Sequence, residues 1–211
     1  DLDGTLADTA GDLGGAVNRL RAAQGLAPQP LELLRPWASA GARGLLAAGM
    51  DIHPDHPEYE NYRLAFLDAY MQCLAETTCL FEGMEAVLQD IESRGMKWGV
   101  VTNKHSRFTN PLTQAMPLFT SAQTVVSGDT TPHAKPHPAP LLEAATRLGL
   151  PPQQCLYVGD DERDIQAGHA AGMPTVAATY GYLGAQADIR RWGAHAEINT
   201  PLALLQLLRL T

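Results

Sequence analysis

The sequence begins with DLDGTL, residues 1–6, in which two carboxylates stand two residues apart. On an extended backbone, side chains at this spacing point the same way, so Asp1 and Asp3 can serve one reaction centre. Gly4 then lets the chain turn sharply. One carboxylate can attack phosphorus while the other donates and later removes a proton, which divides a difficult hydrolysis into two easier steps. The alternatives are an acidic turn and half of a calcium loop, which would need further oxygen ligands and a later Glu that the sequence does not supply.

The rest of the chain shows two patterns. From about Asp8 to Leu80, apolar residues recur at helical spacing, as in Leu13, Val17 and Leu20, and no strand is expected. After Phe81, helices alternate with short apolar strands, expected at residues 98–101, 124–126, 155–158 and 174–178. Strands separated by helices of this length form parallel sheets with right-handed crossovers. We therefore predict a doubly wound α/β core with an all-helical insertion near its N-terminus.

Three more polar segments follow predicted strands in the sequence. Thr102 and Asn103 follow the first strand, and a hydroxyl and an amide can bind phosphate oxygens without adding charge. Lys135, in the loop after the second strand, can neutralise both a phosphate and the nucleophile. Residues 159–164, with sequence GDDERD, follow the third strand. Crowded carboxylates require a cation, and oxygen-only ligands suit magnesium.

Each of these segments has a structural interpretation when it is taken alone. A Thr-Asn pair can start a turn or cap a helix, a lysine can be a solvated surface charge, and acidic residues favour helix N-termini. Their shared position favours function, because ligands of open α/β sheets bind outside the carboxyl ends of the strands. The sequence therefore predicts one site at that edge of the sheet.

Composition limits the classes of partner. The chain has 211 residues, 45% hydrophobic residues and a formal net charge of −8, typical of a globular protein and unfavourable for nucleic acid as the main partner. No apolar run approaches the length of a membrane span, so no membrane partner is expected. The three cysteines form no disulfide or zinc pattern, which favours a reduced, cytoplasmic setting. Both a monomer and a homodimer remain open.

The DxDGT of Asp1 to Thr5, then Thr102, Lys135 and the GDxxxD of Asp160 and Asp164 resemble, in this order, the haloacid dehalogenase superfamily of phosphatases. The resemblance covers essentially the whole chain. It implies a hydrolase core at residues 1–7 and 81–211 and a small helical cap domain at residues 8–80.

The same resemblance implies roles for individual residues. Asp1 would be the nucleophile and Asp3 the general acid and base. Mg²⁺ would be held by the Asp1 side chain, the Asp3 backbone carbonyl and Asp160, with Asp161 or Asp164 orienting the waters of the metal. The transferring phosphoryl group would be bound by Thr102 and Lys135, with Asn103 as a further substrate-binding candidate.

Within the superfamily, the chain is similar to phosphoglycolate phosphatases and, through residues 41–43, 98–104 and 180–182, to N-acetylmuramic acid 6-phosphate phosphatases. The expected substrate is therefore a small phosphorylated metabolite, 2-phosphoglycolate or N-acetylmuramic acid 6-phosphate. Both carry a carboxylate, for which Arg43 is the candidate ligand; a plain surface arginine is the alternative. A sugar phosphomutase, a dehalogenase and a catalytically silent binding protein are the rival functions.

In this superfamily, the nucleophile ends a buried central strand. Removal of such a strand would open the core at a cost above typical net stability. We therefore expect the chain to be a fragment of a longer protein, with a strand preceding Asp1.

Overall fold

Seven short strands carry the functional loops in the computed structural model, which describes residues 1–184 and 187–209. In chain order they are β1 (Ala7–Asp8), β2 (Cys79–Leu80), β3 (Gly99–Val101), β4 (Thr124–Val126), β5 (Tyr157–Gly159), β6 (Thr175–Ala178) and β7 (Ala196–Ile198). The helices are α1 (Ala10–Ala23), α2 (Leu31–Leu34), α3 (Gly41–Met50), α4 (Tyr59–Gln72), α5 (Met84–Ser93), α6 (Ser106–Ala115), α7 (Ala139–Leu148), α8 (Glu162–Ala171) and α9 (Ala203–Leu207). Short 3-10 helices lie at Arg35–Ala40, Pro117–Ser121, Pro152–Gln154 and Ile189–Arg191.

The strands of the second half of the chain pair in parallel, as predicted. β3 pairs with β4, and β5, β6 and β7 form a second sheet in that order. The four strands predicted from apolar runs are all present, with ends that differ by one or two residues. Parallel pairing brings the loops that follow β3 and β4 to one edge. Hydrogen bonds of Lys135 Nζ, from the loop after β4, to the Val101 carbonyl and to Asp164 show that the loop after β5 lies beside them.

Three strands were not predicted. β7 extends the second sheet, and β1 pairs with β2 in antiparallel fashion, so the expectation of no strand up to Leu80 was wrong at Cys79–Leu80. These strands are two or three residues long and lack an apolar run. Their strand conformation depends on hydrogen bonds to segments distant in sequence, which a local pattern does not reveal.

Within the described residues, the parallel strands pair in two groups, β3 with β4 and β5 with β6 and β7, and the single doubly wound sheet stays a prediction. β3 and β5 lie on either side of an apolar groove of about 400 Å³, and no strand within residues 1–184 or 187–209 pairs with both. At one end of the groove, the backbone nitrogen of Asp1 donates a hydrogen bond to the Val158 carbonyl oxygen at 2.7 Å. The expectation of a strand before Asp1 concerns residues outside 1–211 and stays a prediction.

Helices cover both sides of the strands. Neighbouring residues of a strand point to opposite faces. Accordingly, Val100 belongs to an apolar cluster with Val87 of α5 and Leu204 of α9. Val101 belongs to another cluster, with Leu141 of α7 and side chains of α8. The helices thus cover both faces of the strands, and the carboxyl ends of the strands remain for the polar loops.

Helices α1 to α4, which we call the helical region, pack around a third apolar cluster. Leu13, Val17 and Leu20 are all buried there, which confirms the helical spacing noticed in the sequence. Phe66 and Tyr70 of α4 complete the cluster. The boundaries of a cap at residues 8–80 stay a prediction. Along the described part of the chain, no helix combines the length and the apolar character required to cross a bilayer.

Two connections join the helical region to the strands, and they run side by side. They contain β1 and β2, which pair through Ala7 with Leu80 and Asp8 with Cys79. The buried carboxylate of Asp12, on α1, accepts hydrogen bonds from the backbone nitrogen and hydroxyl of Thr77 and from the hydroxyl of Thr78. This carboxylate ties the first turns of α1 to the returning chain.

Candidate active site

A tight turn presents Asp1 and Asp3 beside the ends of the parallel strands. The Leu2 carbonyl oxygen accepts hydrogen bonds from three backbone N–H groups of the turn, those of Thr5, Leu6 and Ala7. Gly4 has a φ of 83°, and a Cβ at this position would overlap the carboxylate of Asp160. Glycine is therefore required both by the left-handed backbone and by the closeness of a second acidic residue.

The carboxylate of Asp3 is fixed by two partners. Its Oδ1 accepts a hydrogen bond from Thr9 Oγ1 at 2.6 Å and lies 2.9 Å from Lys104 Nζ. Lys104 also donates to the Tyr70 hydroxyl at 2.9 Å. Burial acts to lower the pKa of Lys104, but the nearby Asp3 and Tyr70 raise it above its ordinary value, so the ammonium keeps its charge. The arrangement links Asp3, through Lys104, to α4 of the helical region.

Lys135 lies between two carboxylates. Its Nζ is 2.8 Å from Asp1 Oδ1 and 2.6 Å from Asp164 Oδ1, and it also donates to the Val101 carbonyl and the Tyr157 hydroxyl. Its side chain is only 3% exposed. Burial acts to lower the pKa of Lys135, but Asp164 and Tyr157 together, through charge and hydrogen bonds, raise it above its ordinary value. The predicted partnership of Lys135 with Asp1 is thus present in the structure.

Thr102 and Asn103 follow β3 as expected, and both line the cavity described below. Thr102 is buried at the floor of this cavity. The Asn103 amide is engaged with the Lys135 backbone: its Nδ2 donates to the Lys135 carbonyl and its Oδ1 accepts from the Lys135 N–H, each at 2.9 Å. The side chain of Asn103 therefore positions the lysine loop, and its contact with a phosphate stays a prediction.

Asp160 is fully buried and is held by donors from three parts of the chain. Thr5 Oγ1 donates to Oδ1 at 2.9 Å, and Ser39 Oγ and the Tyr182 backbone nitrogen donate to Oδ2 at 3.2 and 2.8 Å. Burial, reinforced by the negative charge of Asp164, raises the pKa of Asp160 to about 6. A buried carboxylate with a raised pKa marks a place where a cation would be stabilising.

The geometry distinguishes Asp161 from Asp164, a choice that the sequence left open. Asp161 caps α8, and both of its carboxylate oxygens accept hydrogen bonds from the Arg163 guanidinium. Asp164 accepts the Asp161 backbone N–H with one oxygen and faces Lys135 with the other. Asp164 therefore belongs to the acidic cluster, and Asp161 is turned towards Arg163.

Oxygen atoms of Asp1, Asp160 and Asp164 lie within 4.8 Å of one another, close enough to surround one ion. The donor set contains only carboxylate oxygens, which suits a hard divalent cation such as Mg²⁺ and does not suit zinc or copper. The raised pKa of Asp160 agrees with this assignment, because a bound cation would compensate the charge that burial leaves unfavourable. The residues present therefore fit the magnesium ion expected from the sequence.

A cavity of about 490 Å³ lies above these groups. Its floor is formed by Asp1, Asp3, Thr102, Lys135 and Asp164, and its walls come from the helical region and from α6. The cavity thus joins the acidic cluster to a space large enough for a leaving group.

Arg43 is not among the residues that line this cavity. It is exposed on α3, whereas its neighbours Gly41 and Ala42 line the wall. Besides Arg163, which is paired with Asp161, two other arginines line it, Arg63 of α4 and Arg107 of α6. Sequence reasoning missed both, although Arg63 stands at helical spacing from the buried Phe66 and Tyr70.

Other residues of the site also escaped the sequence analysis: Thr5, Ser39, Lys104 and Tyr157. Thr5 and Lys104 adjoin predicted site residues, so adjacency was an available signal. Ser39 and Tyr157 carry no local signal, because only the tertiary fold brings them to the acidic cluster.

A parallel α/β fold with an acidic DxDGT turn, a buried lysine and a second acidic loop at one edge defines a class of hydrolases. The chain belongs to the haloacid dehalogenase-like hydrolase family, whose model matches residues 1–178.

Within this family, the chain is similar to several named phosphatases. The chain is 39% identical over 208 residues to an N-acetylmuramic acid 6-phosphate phosphatase of Pseudomonas aeruginosa, covering 99% of the chain and 92% of the relative. It is 41% identical over 201 residues to a phosphoglycolate phosphatase of Xanthomonas campestris pv. campestris, covering 95% and 90%. The crystal structure of a predicted phosphoglycolate phosphatase from Haemophilus somnus has a TM-score of 0.83 at 27% identity, covering 98% of this chain and 94% of that one. The relatives are phosphatases, so the enzyme class is that of the phosphoric monoester hydrolases.

Proposed function

We propose that the chain is a magnesium-dependent phosphatase that hydrolyses a small phosphorylated metabolite through an aspartyl-phosphate on Asp1. The observation that carries this proposal is the arrangement of Asp1, Lys135 and Asp164 on the cavity floor, with the buried Asp160 close enough to share one ion with the two aspartates. A carboxylate nucleophile and a phosphate repel each other, and this arrangement supplies the positive charge that allows them to meet.

In the first step, an Asp1 carboxylate oxygen attacks phosphorus, and the bond from phosphorus to the ester oxygen of the leaving group breaks. Protonated Asp3 transfers its proton to that oxygen, so the leaving group departs as an alcohol. In the second step, Asp3 removes a proton from water, and the water oxygen attacks phosphorus. The bond between phosphorus and Asp1 breaks, which releases inorganic phosphate and regenerates both aspartates.

The surrounding residues position these groups. Lys135 holds Asp1 at 2.8 Å and offers its charge to the phosphoryl oxygens. Thr102 offers a buried hydroxyl on the same floor. Thr9 and Lys104 keep the Asp3 carboxylate directed towards the leaving group.

Magnesium would be held by the side chains of Asp1 and Asp160 and by the Asp3 backbone carbonyl, with Asp164 orienting its water ligands. When bound, it supplies positive charge to the phosphoryl oxygens. The helical region would act as a cap at residues 8–80 that excludes bulk water and contacts the leaving group. By similarity to its named relatives, the chain acts on 2-phosphoglycolate or on N-acetylmuramic acid 6-phosphate.

The test is a phosphate-release assay with 2-phosphoglycolate, N-acetylmuramic acid 6-phosphate, common sugar phosphates and a generic aryl phosphate. The wild-type protein is expected to release inorganic phosphate. Asp1→Asn, which preserves the size of the side chain, is expected to abolish turnover and leave the circular dichroism spectrum unchanged. Turnover retained by folded Asp1→Asn contradicts the mechanism. A phosphorylated sugar as the product, without free phosphate, identifies a phosphomutase.

A further inference from the structure

Some of the cationic side chains that line the cavity are not paired with carboxylates of the cavity itself. Five lysine and arginine side chains line it among the described residues: Arg63, Lys104, Arg107, Lys135 and Arg163. Lys104 is paired with Asp3, Lys135 with Asp1 and Asp164, and Arg163 with Asp161, each at 2.9 Å or less. The carboxylates that pair with these three side chains also line the cavity, so the charges of the paired groups already neutralise one another.

Arg63 and Arg107 are paired differently. The partner of Arg63 is Glu60, whose side chain is 61% exposed, and the partner of Arg107 is Asp68, whose side chain is 72% exposed and 3.4 Å away. Neither Glu60 nor Asp68 lines the cavity. The long Arg107–Asp68 pair contributes little to stability, so an anion entering the cavity can replace it at low cost. Arg63 donates two hydrogen bonds to Glu60, at 2.6 and 2.8 Å, so an anion replaces Glu60 only by offering an equivalent carboxylate.

The two arginines come from different parts of the fold. Arg63 projects from α4 in the helical region, and Arg107 lies in the first turn of α6, which follows the Thr102–Lys104 loop. The ion pair between Arg107 and Asp68 of α4 shows that these two elements approach each other at the cavity. An anion bound here would therefore contact both sides of the cavity at once.

One face of α4 connects the position of Arg63 to the groups around Asp3. Arg63, Phe66, Leu67 and Tyr70 all line the cavity, as expected for positions at a spacing of three, four and seven residues. Tyr70 accepts a hydrogen bond from Lys104, which contacts the general acid Asp3. Arg63 stands two turns away, about 10 Å along the helix axis at about 1.5 Å per residue.

We propose that Arg63 and Arg107 together bind a carboxylate of the leaving group, and that the substrate is a sugar-sized phosphomonoester whose carboxylate lies well away from the scissile phosphate. This inference rests on the proposed phosphatase function and specifies its substrate class. Arginine suits the role because its planar guanidinium donates two parallel hydrogen bonds to a carboxylate.

The proposal separates the two substrates suggested by the relatives. In 2-phosphoglycolate, the carboxylate carbon is two bonds from the ester oxygen, too close to Asp3 for Arg63 to contact it. In N-acetylmuramic acid 6-phosphate, the carboxylate belongs to a lactyl ether on the other side of the sugar ring. The cavity of about 490 Å³ also falls in the range of sites for ligands of that size. Leu64 and Leu67 provide an apolar wall for the ring.

The experiment compares Arg63→Gln, Arg107→Gln and the double variant with wild type in steady-state hydrolysis. Three substrates are used: N-acetylmuramic acid 6-phosphate, the same amino sugar phosphate without its lactyl group, and an aryl phosphate. Each single variant is expected to lower kcat/KM for the first substrate by about 10- to 100-fold, mainly through KM, since a hydrogen bond to a charged group is lost. The other two substrates lack the carboxylate and are expected to change less than about threefold.

Arg19→Gln is the matched control, because Arg19 also belongs to the helical region and to an exposed ion pair, with Glu76, but does not line the cavity. It is expected to behave as wild type with all three substrates. Equal losses on all three substrates in the Arg63 and Arg107 variants, or no loss on any, overturn the inference. A wild-type preference for 2-phosphoglycolate over the lactyl sugar phosphate also overturns it. Absence of hydrolysis of every substrate by wild type contradicts the proposed function itself, which keeps the two failures distinguishable.

Discussion

Replacement of Lys135 by methionine tests the electrostatics of the acidic cluster most directly. Methionine keeps much of the volume and removes the ammonium that lies 2.8 Å from Asp1 and 2.6 Å from Asp164. The side chains of this group are between 1% and 10% exposed, so water cannot take over the role of the ammonium. Removal of one partner from a buried ion pair typically costs about 3–5 kcal/mol. We expect the free energy of unfolding to fall by about that amount in magnesium-free buffer.

Urea denaturation, followed by circular dichroism with chelator and with millimolar magnesium, measures this effect. Magnesium is expected to stabilise Lys135→Met more than wild type, because the ion supplies charge that the ammonium no longer provides. Adding Asp164→Asn should recover part of the loss, with a coupling energy of about 0.5–3 kcal/mol in the double-mutant cycle. Lys97→Met is the matched control: Lys97 is exposed and donates to the Leu148 carbonyl, so its replacement should change stability by less than about 0.5 kcal/mol.

Two results would refute this reasoning. If the free energy of unfolding falls by less than about 1 kcal/mol in magnesium-free buffer, the carboxylates of Asp1, Asp160 and Asp164 do not depend on the Lys135 charge. Equal stabilisation of wild type and Lys135→Met by magnesium would mean that the ion and the ammonium do not share the same carboxylates.

Two further predictions follow from the same site. Gly4→Ala is expected to lower the free energy of unfolding by about 1–2 kcal/mol through backbone strain, and to weaken magnesium binding about tenfold by displacing Asp160. Gly95→Ala is the control, because Gly95 has a φ of +67° but open space around it. In denaturation and magnesium titration experiments, Gly95→Ala should show the loss of stability without the loss of magnesium affinity. Chelation of divalent cations is expected to abolish phosphate release and excess magnesium to restore it, and hydrolysis that survives chelation would exclude the proposed role of the acidic cluster.

The sequence was sufficient to locate the floor of the site. Thr102, Lys135 and Asp160 could be placed together because each follows a parallel strand, and such strands end at one edge regardless of the details of packing. The carboxylate pair Asp1 and Asp3 could likewise be assigned to one turn. These predictions depended only on strand order and on local chemistry.

The walls of the site could not be derived in this way. Arg43 was chosen for its Gly-rich surroundings, but the rotation of α3 about its axis depends on packing against α1 and α4 and leaves this side chain exposed. The engagement of the Asn103 amide by the lysine loop, 32 residues further along, had no signal in the sequence. Ser39 meets Asp160 across 121 residues. Such contacts depend on tertiary orientation, which no local pattern encodes.

The paired connections that contain β1 and β2 have a mechanical consequence. A single flexible connection would leave the helical region free to rotate about three axes, whereas two hydrogen-bonded connections, tied together by Asp12, act as a hinge with one favoured axis. We expect any opening to be one swing, which separates Ser39 from Asp160 and Tyr70 from Lys104 and also breaks the contacts of Arg163 and Arg107 with the helical region. The acidic cluster and the general acid would therefore gain access to solvent together, as one event with one rate.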